Sequence, residues 1–372
     1  MGERCNALIC KGCFRGDALV LQYVEIDLDG TGEPRYMNQK TPQAQRTHLD
    51  VVETFSGDFE FLSSFHSHPF SWQGRVAQTA EHHYNAAKTD DPVEKARVYD
   101  QETPGRAKRE GQKVTLRKGW DDHLKTDCMA SIIEAKFAFG SPLAQSLLRT
   151  GEALLIEGNV WHDRYWGQCT CEKHYHWPGG NMLGRLLMAR RTELRGEPAP
   201  LTRVGITGHR PQSLSPTEQE WTGQVLPALM HSLRTSHGMQ VAISGFALGA
   251  DTIWAQAALE QGIRLWGYIP SPDQSKRWQA SERALHLELV SNASRILVHG
   301  ESHDNRWFRA RNEMIVRDSN VLVAVHKEGK STGGTAAVIR KALASGKRLI
   351  RVNVTRQEVT AVTRDGDLPW AF

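Results

Sequence analysis

The chain has 372 residues, 40% hydrophobic and 24% charged, with a formal net charge of +4. That length exceeds one typical core and predicts two domains, and the composition excludes wholesale disorder. So small a charge tolerates an anionic substrate without demanding nucleic acid as a standing partner, and no apolar run approaches the roughly 20 residues that span a bilayer.

The opening residues Met1-Gly2-Glu3-Arg4-Cys5 lack the long apolar core of a secretory signal, and Asn6 stands where a myristoylation motif has Ser or Thr. The expectation is a cytoplasmic protein, with no membrane partner, whose six cysteines are thiols or metal ligands. Self-association as a homo-oligomer stays open. The eleven tryptophans are many; Trp fills cores by default but also stacks on nucleobases.

In chain order, residues 19–27 and those near 60–65 read as strands. Segments 79–88, 121–139, 142–150 and 181–194 carry apolar residues at helical spacing. The front domain, residues 1–194, is therefore expected to be mainly α with a few strands. Gly196, Pro198 and Pro200 mark a linker over 195–201. From 202 to 372, strands at 203–207, 240–244, 265–269, 295–299, 321–326 and 348–352 alternate with helices, including 216–235 behind a Ser215 cap and 250–261. This pattern predicts a doubly wound, Rossmann-like α/β domain with a parallel sheet.

Within the front half, Thr79 is a natural cap for a helix on which Glu81, Tyr84 or Asn85, and Lys88 share one face. A carboxylate and an amine two turns apart suit a polar pocket, although the same spacing also makes a solvated surface. Farther on, Glu157-Gly158-Asn159-Val160-Trp161-His162-Asp163-Arg164-Tyr165-Trp166-Gly167 follows a strand-like run at 154–156 and precedes Pro178-Gly179-Gly180-Asn181. Acidic and aromatic residues between a strand and a helix mark a functional loop, and its glycines permit close approach by a ligand. Trp161 and Trp166 equally suit a core beneath that loop.

These residues carry a resemblance. Phe61-Leu62-Ser63-Ser64-Phe65, the 81–88 helix, Ala107-Lys108, Gly119-Trp120-Asp121 and Ala135-Lys136-Phe137 occur in the order seen in the NADAR family. So do Leu148-Arg149-Thr150-Gly151, Asp163-Arg164-Tyr165-Trp166-Gly167 and Asn181-Met182-Leu183-Gly184-Arg185. The set resembles that family over about residues 55–192. The resemblance implies hydrolysis of N-glycosidic bonds in ribose-containing molecules, either ADP-ribose attached to guanine or phosphorylated riboflavin intermediates. It also implies an ADP-ribose-containing partner, including ADP-ribosylated DNA or RNA, in toxin–antitoxin or phage conflict.

Carboxylates can stabilise a cation-like sugar or move protons, whereas a lysine of lowered pKa can attack a ring-opened sugar as a Schiff-base nucleophile. The resemblance favours the lysine route, with Lys88 as nucleophile, Glu81 as its proton partner, and Asp163 orienting the ribose or acting as second acid/base. Lys108, Lys136 and Arg185 are candidate phosphate contacts and Trp120 or Trp166 a stacking surface. Tyr84, Asn85, Gly167 and Asn181 complete the expected binding set. No cofactor is required for such chemistry.

Cys10-Lys11-Gly12-Cys13 and Cys169-Thr170-Cys171, the latter followed by His174 and His176, hold the residue types of a tetrahedral zinc site. A structural zinc shared by the two clusters, pinning the loop after Gly167 to the N-terminal segment, is one expectation.

Four loops of the rear half follow strand ends, where doubly wound sheets bind ligands. They hold Gly208-His209-Arg210, Ser244-Gly245 with Gly249 and Asp251, Arg311-Asn312, and Gly333-Gly334-Thr335. Glycines at a helix start expose backbone amides to anions. The set, over about 202–353, is similar to the SLOG superfamily, which implies a nucleotide-derived ligand. The resemblance stops short of catalysis: Ala336-Ala337-Val338-Ile339 offers no carboxylate where the family's hydrolases carry glutamate. A sensor that binds nucleotide without hydrolysis is the competing expectation for the whole chain.

Overall fold

The computed structural model describes residues 51–171, 173–174, 178–196, 201–363 and 366–370. Before residue 51 it describes the backbone of strands β1 (Cys5–Ala7), β2 (Ile9–Cys10), β3 (Tyr23–Leu28) and β4 (Pro34–Gln39). Two compact units result, one of residues 45–170 and 178–199 and the other dominated by residues 200–372.

In the front unit, β5 (Val51–Val52) pairs in parallel with β8 (Leu154–Leu155). A hairpin joins β6 (Phe70–Trp72) to β7 (Arg75–Ala77). Helix α1 (Ala80–Ala86) starts at Thr79, whose hydroxyl accepts from the His82 amide. Helices α2 (Pro92–Tyr99), α3 (Pro104–Glu110) and α5 (Pro142–Arg149) share one start: an Asp, Thr or Ser cap, then proline at the position whose amide needs no partner. Helix α4 (Lys125–Lys136) follows a π-turn over Trp120–Leu124. Strand β9 (Gly158–Asn159) runs parallel to β10 (Gln168–Cys169), and α6 (Met182–Arg195) closes the unit against Gly196, held at φ +69°.

Residues 60–65, read from the sequence as a strand, are instead approached by a 3₁₀ helix over Gly57–Leu62. Phe59 and Leu62, three residues apart, both face the core, a spacing that fits three residues per turn rather than a strand's two. The core itself gathers Leu62, Trp72, Tyr84, Trp120, Ile132, Phe137, Leu155 and Leu187, so the walls of the site described below are also its hydrophobic support.

The rear unit alternates β11 (Arg203–Gly208), α7 (Pro216–His237), β12 (Val241–Ser244), α8 (Ala250–Glu260), β13 (Arg264–Ile269), α9 (Ala280–Asn292) and β14 (Arg295–Val298). It continues through α10 (Asn305–Asp318), β15 (Val321–His326), α11 (Gly334–Ala344) and β16 (Arg348–Asn353). Two strands the sequence pattern did not reveal, β17 (Glu358–Thr363) and β18 (Gly366–Pro369), extend the edge antiparallel. The sheet order is β18-β17-β16-β15-β11-β12-β13-β14-β2, so the sheet is mixed rather than wholly parallel.

Strand order reverses between β11 and β15, which are parallel neighbours, and the crevice above their C-terminal ends is the topological switch point. Buried Val204, Ile206, Val321, Val323 and Val325 make the near-continuous apolar strands expected of a sheet covered on both faces. No described helix is long and apolar enough to cross a membrane.

Candidate functional site

The front site is built on α1. Its face buries Glu81 and Asn85 and leaves Lys88 half-buried just past the helix end. Ser64 Oγ donates to Glu81 Oε2 at 2.9 Å, and Asn85 Nδ2 donates to Glu81 Oε1 at 3.0 Å. Lys88 Nζ then donates to Asn85 Oδ1 at 2.6 Å. The result is one hydrogen-bonded line, Ser64–Glu81–Asn85–Lys88. Glu81 therefore reaches Lys88 through the Asn85 amide, not directly as its spacing on the helix suggested.

Lys88 lines a cavity of about 440 Å³ with Tyr84, Trp120, Lys125, Tyr165 and Trp166. Tyr84 packs at 5.4 Å from the Trp120 ring and 5.3 Å from that of Trp166, and Lys88 Nζ stands 5.3 Å from the Tyr84 centroid. Burial lowers the pKa of the Lys88 ammonium; Glu81 opposes the fall and Lys108 adds to it. A lysine so placed carries more neutral amine at physiological pH than one in water.

The acidic loop is held from inside. Asp163 Oδ1 accepts the amides of Tyr165 and Trp166 at 3.0 and 2.9 Å, while Asn159 clamps the Asp163 backbone from both sides. Asn181, in the left-handed region at φ +52°, is buried. It bonds the Glu157 amide at 3.0 Å and the Leu155 carbonyl at 2.7 Å. It positions the loop rather than facing a ligand. Gly167 is likewise a packing position, since a Cβ there would collide with the Glu157 carbonyl oxygen.

Sequence reasoning passed over Glu157. Burial, reinforced by the charges of Asp163 and Glu81, pushes its carboxyl up to about 8, and its Oε2 is buried without a hydrogen-bond partner. A buried acid adjoining two carboxylates is a proton donor near neutrality. The signal lay in the sequence: a lone glutamate ends the apolar run 153–156. Lys125 was passed over as well; it lies 4.3 Å from the Tyr165 centroid on the cavity wall.

Lys136, expected at a phosphate, is buried and donates to the Ser63 carbonyl at 2.6 Å, so its ammonium faces the protein. Burial lowers its pKa to about 7. Lys108 sits 5.7 Å from the Phe65 ring and feels the charges of Lys88 and Glu157. Arg185 is half-buried on α6.

In the rear unit, three of the four loops meet at the switch point. Thr335 Oγ1 donates to the Gly208 carbonyl at 2.9 Å, bringing the Gly333-Gly334-Thr335 turn onto Gly208-His209-Arg210. A Cβ on Gly249 would stand 2.7 Å from the His209 carbonyl oxygen, so glycine is what lets the α8 start approach that loop. The other residues turn inward. Ser244 Oγ donates to the Asp251 carbonyl at 2.7 Å. Arg311 Nη1 donates to the Gly245 carbonyl at 2.8 Å and lies 3.6 Å from Asp251 Oδ2. Asn312 is half-buried beside them on α10. Burial raises the Asp251 carboxyl to about 6 against the opposing charge of Arg311.

Of the expected metal ligands, Cys10 and Cys13 have no described side chains and His176 lies outside the described residues. Among the described residues, His162, Cys169, Cys171 and His174 bring their ligand atoms within 4.8 Å of one another. His162 was not among the ligands read from the sequence.

Residues 51–195 match the family model described as NADAR domain, and 194–365 match that of DNA recombination-mediator protein A. The class is a NADAR domain followed by a domain of the DprA/SLOG type. N-glycosidase YbiA of Escherichia coli (strain K12) is 31% identical over 163 residues, 42% of this chain and 98% of YbiA. The chain belongs to the NADAR family, in which glycosidase activity is established at the level of the family. Riboflavin biosynthesis protein VVA0006 of Vibrio vulnificus (strain YJ016) is 34% identical over 146 residues, 39% of this chain and 38% of that protein. The solved structure of DNA processing protein A from Helicobacter pylori, titled for its single-stranded DNA binding mode, is 24% identical. It matches with a TM-score of 0.32 over 41% of this chain and 65% of that one.

Proposed function

We propose that the front domain removes ADP-ribose from guanine, cleaving the N-glycosidic bond between ribose and base, with Lys88 as the nucleophile. The observation that carries this reading is the line Ser64–Glu81–Asn85–Lys88, which ends in a half-buried amine on the wall of an aromatic cavity.

Ring opening converts the N-glycoside to an imine at the anomeric carbon. The neutral Lys88 amine adds to that carbon, and the C–N bond to guanine breaks as Glu157, protonated up to about pH 8, supplies a proton to the departing base. Water then hydrolyses the lysine imine, returning the amine, and the sugar recloses. The net reaction consumes one water and yields ADP-ribose and the unmodified guanine, which stays in its strand where the carrier is DNA. Asn85 holds the amine in place, Asp163 orders the Tyr165–Trp166 turn beside the cavity, and Tyr84, Trp120 and Trp166 offer aromatic surface to the base. Lys108 and Lys125 are the cations for the pyrophosphate. The rear domain holds a nucleotide-derived or nucleic-acid ligand at its switch point, with ADP-ribosylated DNA as the carrier to be tested.

The test is release of ADP-ribose, with recovery of unmodified guanine in the strand, from ADP-ribosylated guanine DNA, with borohydride added during turnover. A covalent adduct mapped to Lys88 and lost in Lys88→Ala is expected. Full turnover by Lys88→Ala, or an adduct on Lys136, removes the assignment. Cleavage of riboflavin intermediates alone would reassign the substrate in favour of the reading suggested by the Vibrio relative.

A further inference from the structure

We infer that His162, Cys169, Cys171 and His174 are the four ligands of a closed structural zinc site. This does not rest on the glycosidase reading; it rests on the geometry of four described side chains.

A tetrahedral zinc with sulfur ligands near 2.3 Å and nitrogen ligands near 2.0–2.1 Å spaces its ligand atoms by about 3.3–3.8 Å. Here Cys169 Sγ lies 3.8 Å from His162 Nδ1 and Cys171 Sγ lies 3.4 Å from His174 Nδ1. All four atoms fall within 4.8 Å of one another, so an ion at their centre would need to draw the widest pair in by only about 1 Å.

The backbone is shaped to deliver them. His162 is a non-glycine residue at φ +70°, a left-handed conformation that costs roughly 1 kcal/mol or more for such a residue and persists only where something overrides it. Cys169 is fixed in β10, its amide donating to the Pro178 carbonyl at 2.7 Å. The His174 amide donates to the Cys171 carbonyl at 2.9 Å, folding the last two ligands into one turn. With two thiolates and two imidazoles the shell is full, so the ion holds structure and leaves no open position for a substrate. Its role is to clamp the loop carrying Asp163, Tyr165 and Trp166, which lies between the first two ligands in the chain.

The full-length chain, produced in zinc-supplemented medium and freed of loosely held metal, is assayed by elemental analysis. About one zinc per chain is expected, as for a Cys₂His₂ shell. Cobalt(II) in its place is expected to give the intense visible bands of a tetrahedral site, with a sulfur-to-cobalt charge-transfer band that Cys169→Ser roughly halves. His174→Cys should keep the metal and strengthen that band, guarding against a variant that merely misfolds, and Cys128→Ser should keep both signals. Chelation should speed tryptic cleavage after exposed Arg164 by about tenfold or more as the loop opens. A folded chain without zinc, a pale octahedral cobalt spectrum, or a mass two hydrogens short from a Cys169–Cys171 disulfide would each overturn the inference. So would zinc retained in full by Cys169→Ser with Cys171→Ser.

Discussion

The front unit and the rear switch point both bring buried carboxylates to loops at strand ends, yet they dispose of the charge in opposite ways. Asp251 is answered by Arg311, and the guanidinium is further tied to the Gly245 carbonyl. Glu157 has a buried oxygen with no hydrogen-bond partner among the described residues, and burial and two carboxylates raise its pKa. An ion pair that satisfies itself specifies a fold; a buried acid left unsatisfied stores a proton for use. The difference separates machinery from scaffold more sharply than the identity of the residues, since Asp, Glu, Arg and Lys occur in both.

The comparison breaks first at Lys88. Lys88→Ala should lower kcat/KM for release of ADP-ribose by about 10³-fold or more, with the thermal midpoint held, because a covalent route disappears while no buried charge is stranded. Lys88→Arg should be equally inactive, since a guanidinium forms no imine. A thermal midpoint that drops along with activity would make Lys88 part of the scaffold.

The reciprocal test is Arg311→Ala, which strands the Asp251 carboxylate and should cost the rear unit roughly 3–5 kcal/mol by chemical denaturation. Asp251 titrates at about 6 when folded, above the ordinary value of an exposed aspartate, so its folded form binds a proton more readily. The loss should therefore be largest above pH 6 and shrink as acid neutralises the carboxyl. A pH-independent loss would assign the effect to packing alone.

Glu157→Gln comes next. The acid works while protonated, so wild-type activity should fall as pH rises through about 8, whereas the lowered Lys88 pKa sets the rising limb on the acid side. Glutamine should cost about 10²-fold at neutral pH and abolish the alkaline limb. An unchanged profile would return Glu157 to the role of a mere buried acid.

Much of this architecture could be read from the chain. Short apolar strands between helices gave away the rear sheet, and the Ser215 cap and Gly208, Gly249 and Gly333 marked its turns. Strands β17 and β18 escaped because Glu358–Thr363 and Gly366–Pro369 lack the apolar runs of the buried strands; an edge needs less burial. In the front half the Glu81–Lys88 face was legible from helical spacing, since α1 is local in sequence. What spacing cannot carry is partnership across the chain. That Lys136 answers the Ser63 carbonyl 73 residues earlier, and that Asn181 answers Glu157 and Leu155, are tertiary facts that turn two expected ligand contacts into supports. His162 was missed for the opposite reason: its neighbours Trp161 and Asp163 drew the reading toward substrate, whereas its backbone turn directs it to Cys169.

The smallest effect tests the rear crevice itself. Thr335→Val keeps the shape of a mostly buried side chain and removes the hydroxyl that donates to the Gly208 carbonyl at 2.9 Å. Losing one neutral hydrogen bond should cost about 1 kcal/mol of rear-unit stability. If the contact only staples two loops, affinity for a nucleotide probe such as ADP-ribose should weaken by no more than about fivefold, the equivalent of that same 1 kcal/mol. A loss of binding far beyond that at unchanged stability would mean that Thr335 meets the ligand directly. The switch point would then join the front cavity as a site whose polar groups are reserved for what binds there, and the contrast between the two units would hold only for the Asp251–Arg311 pair beneath it.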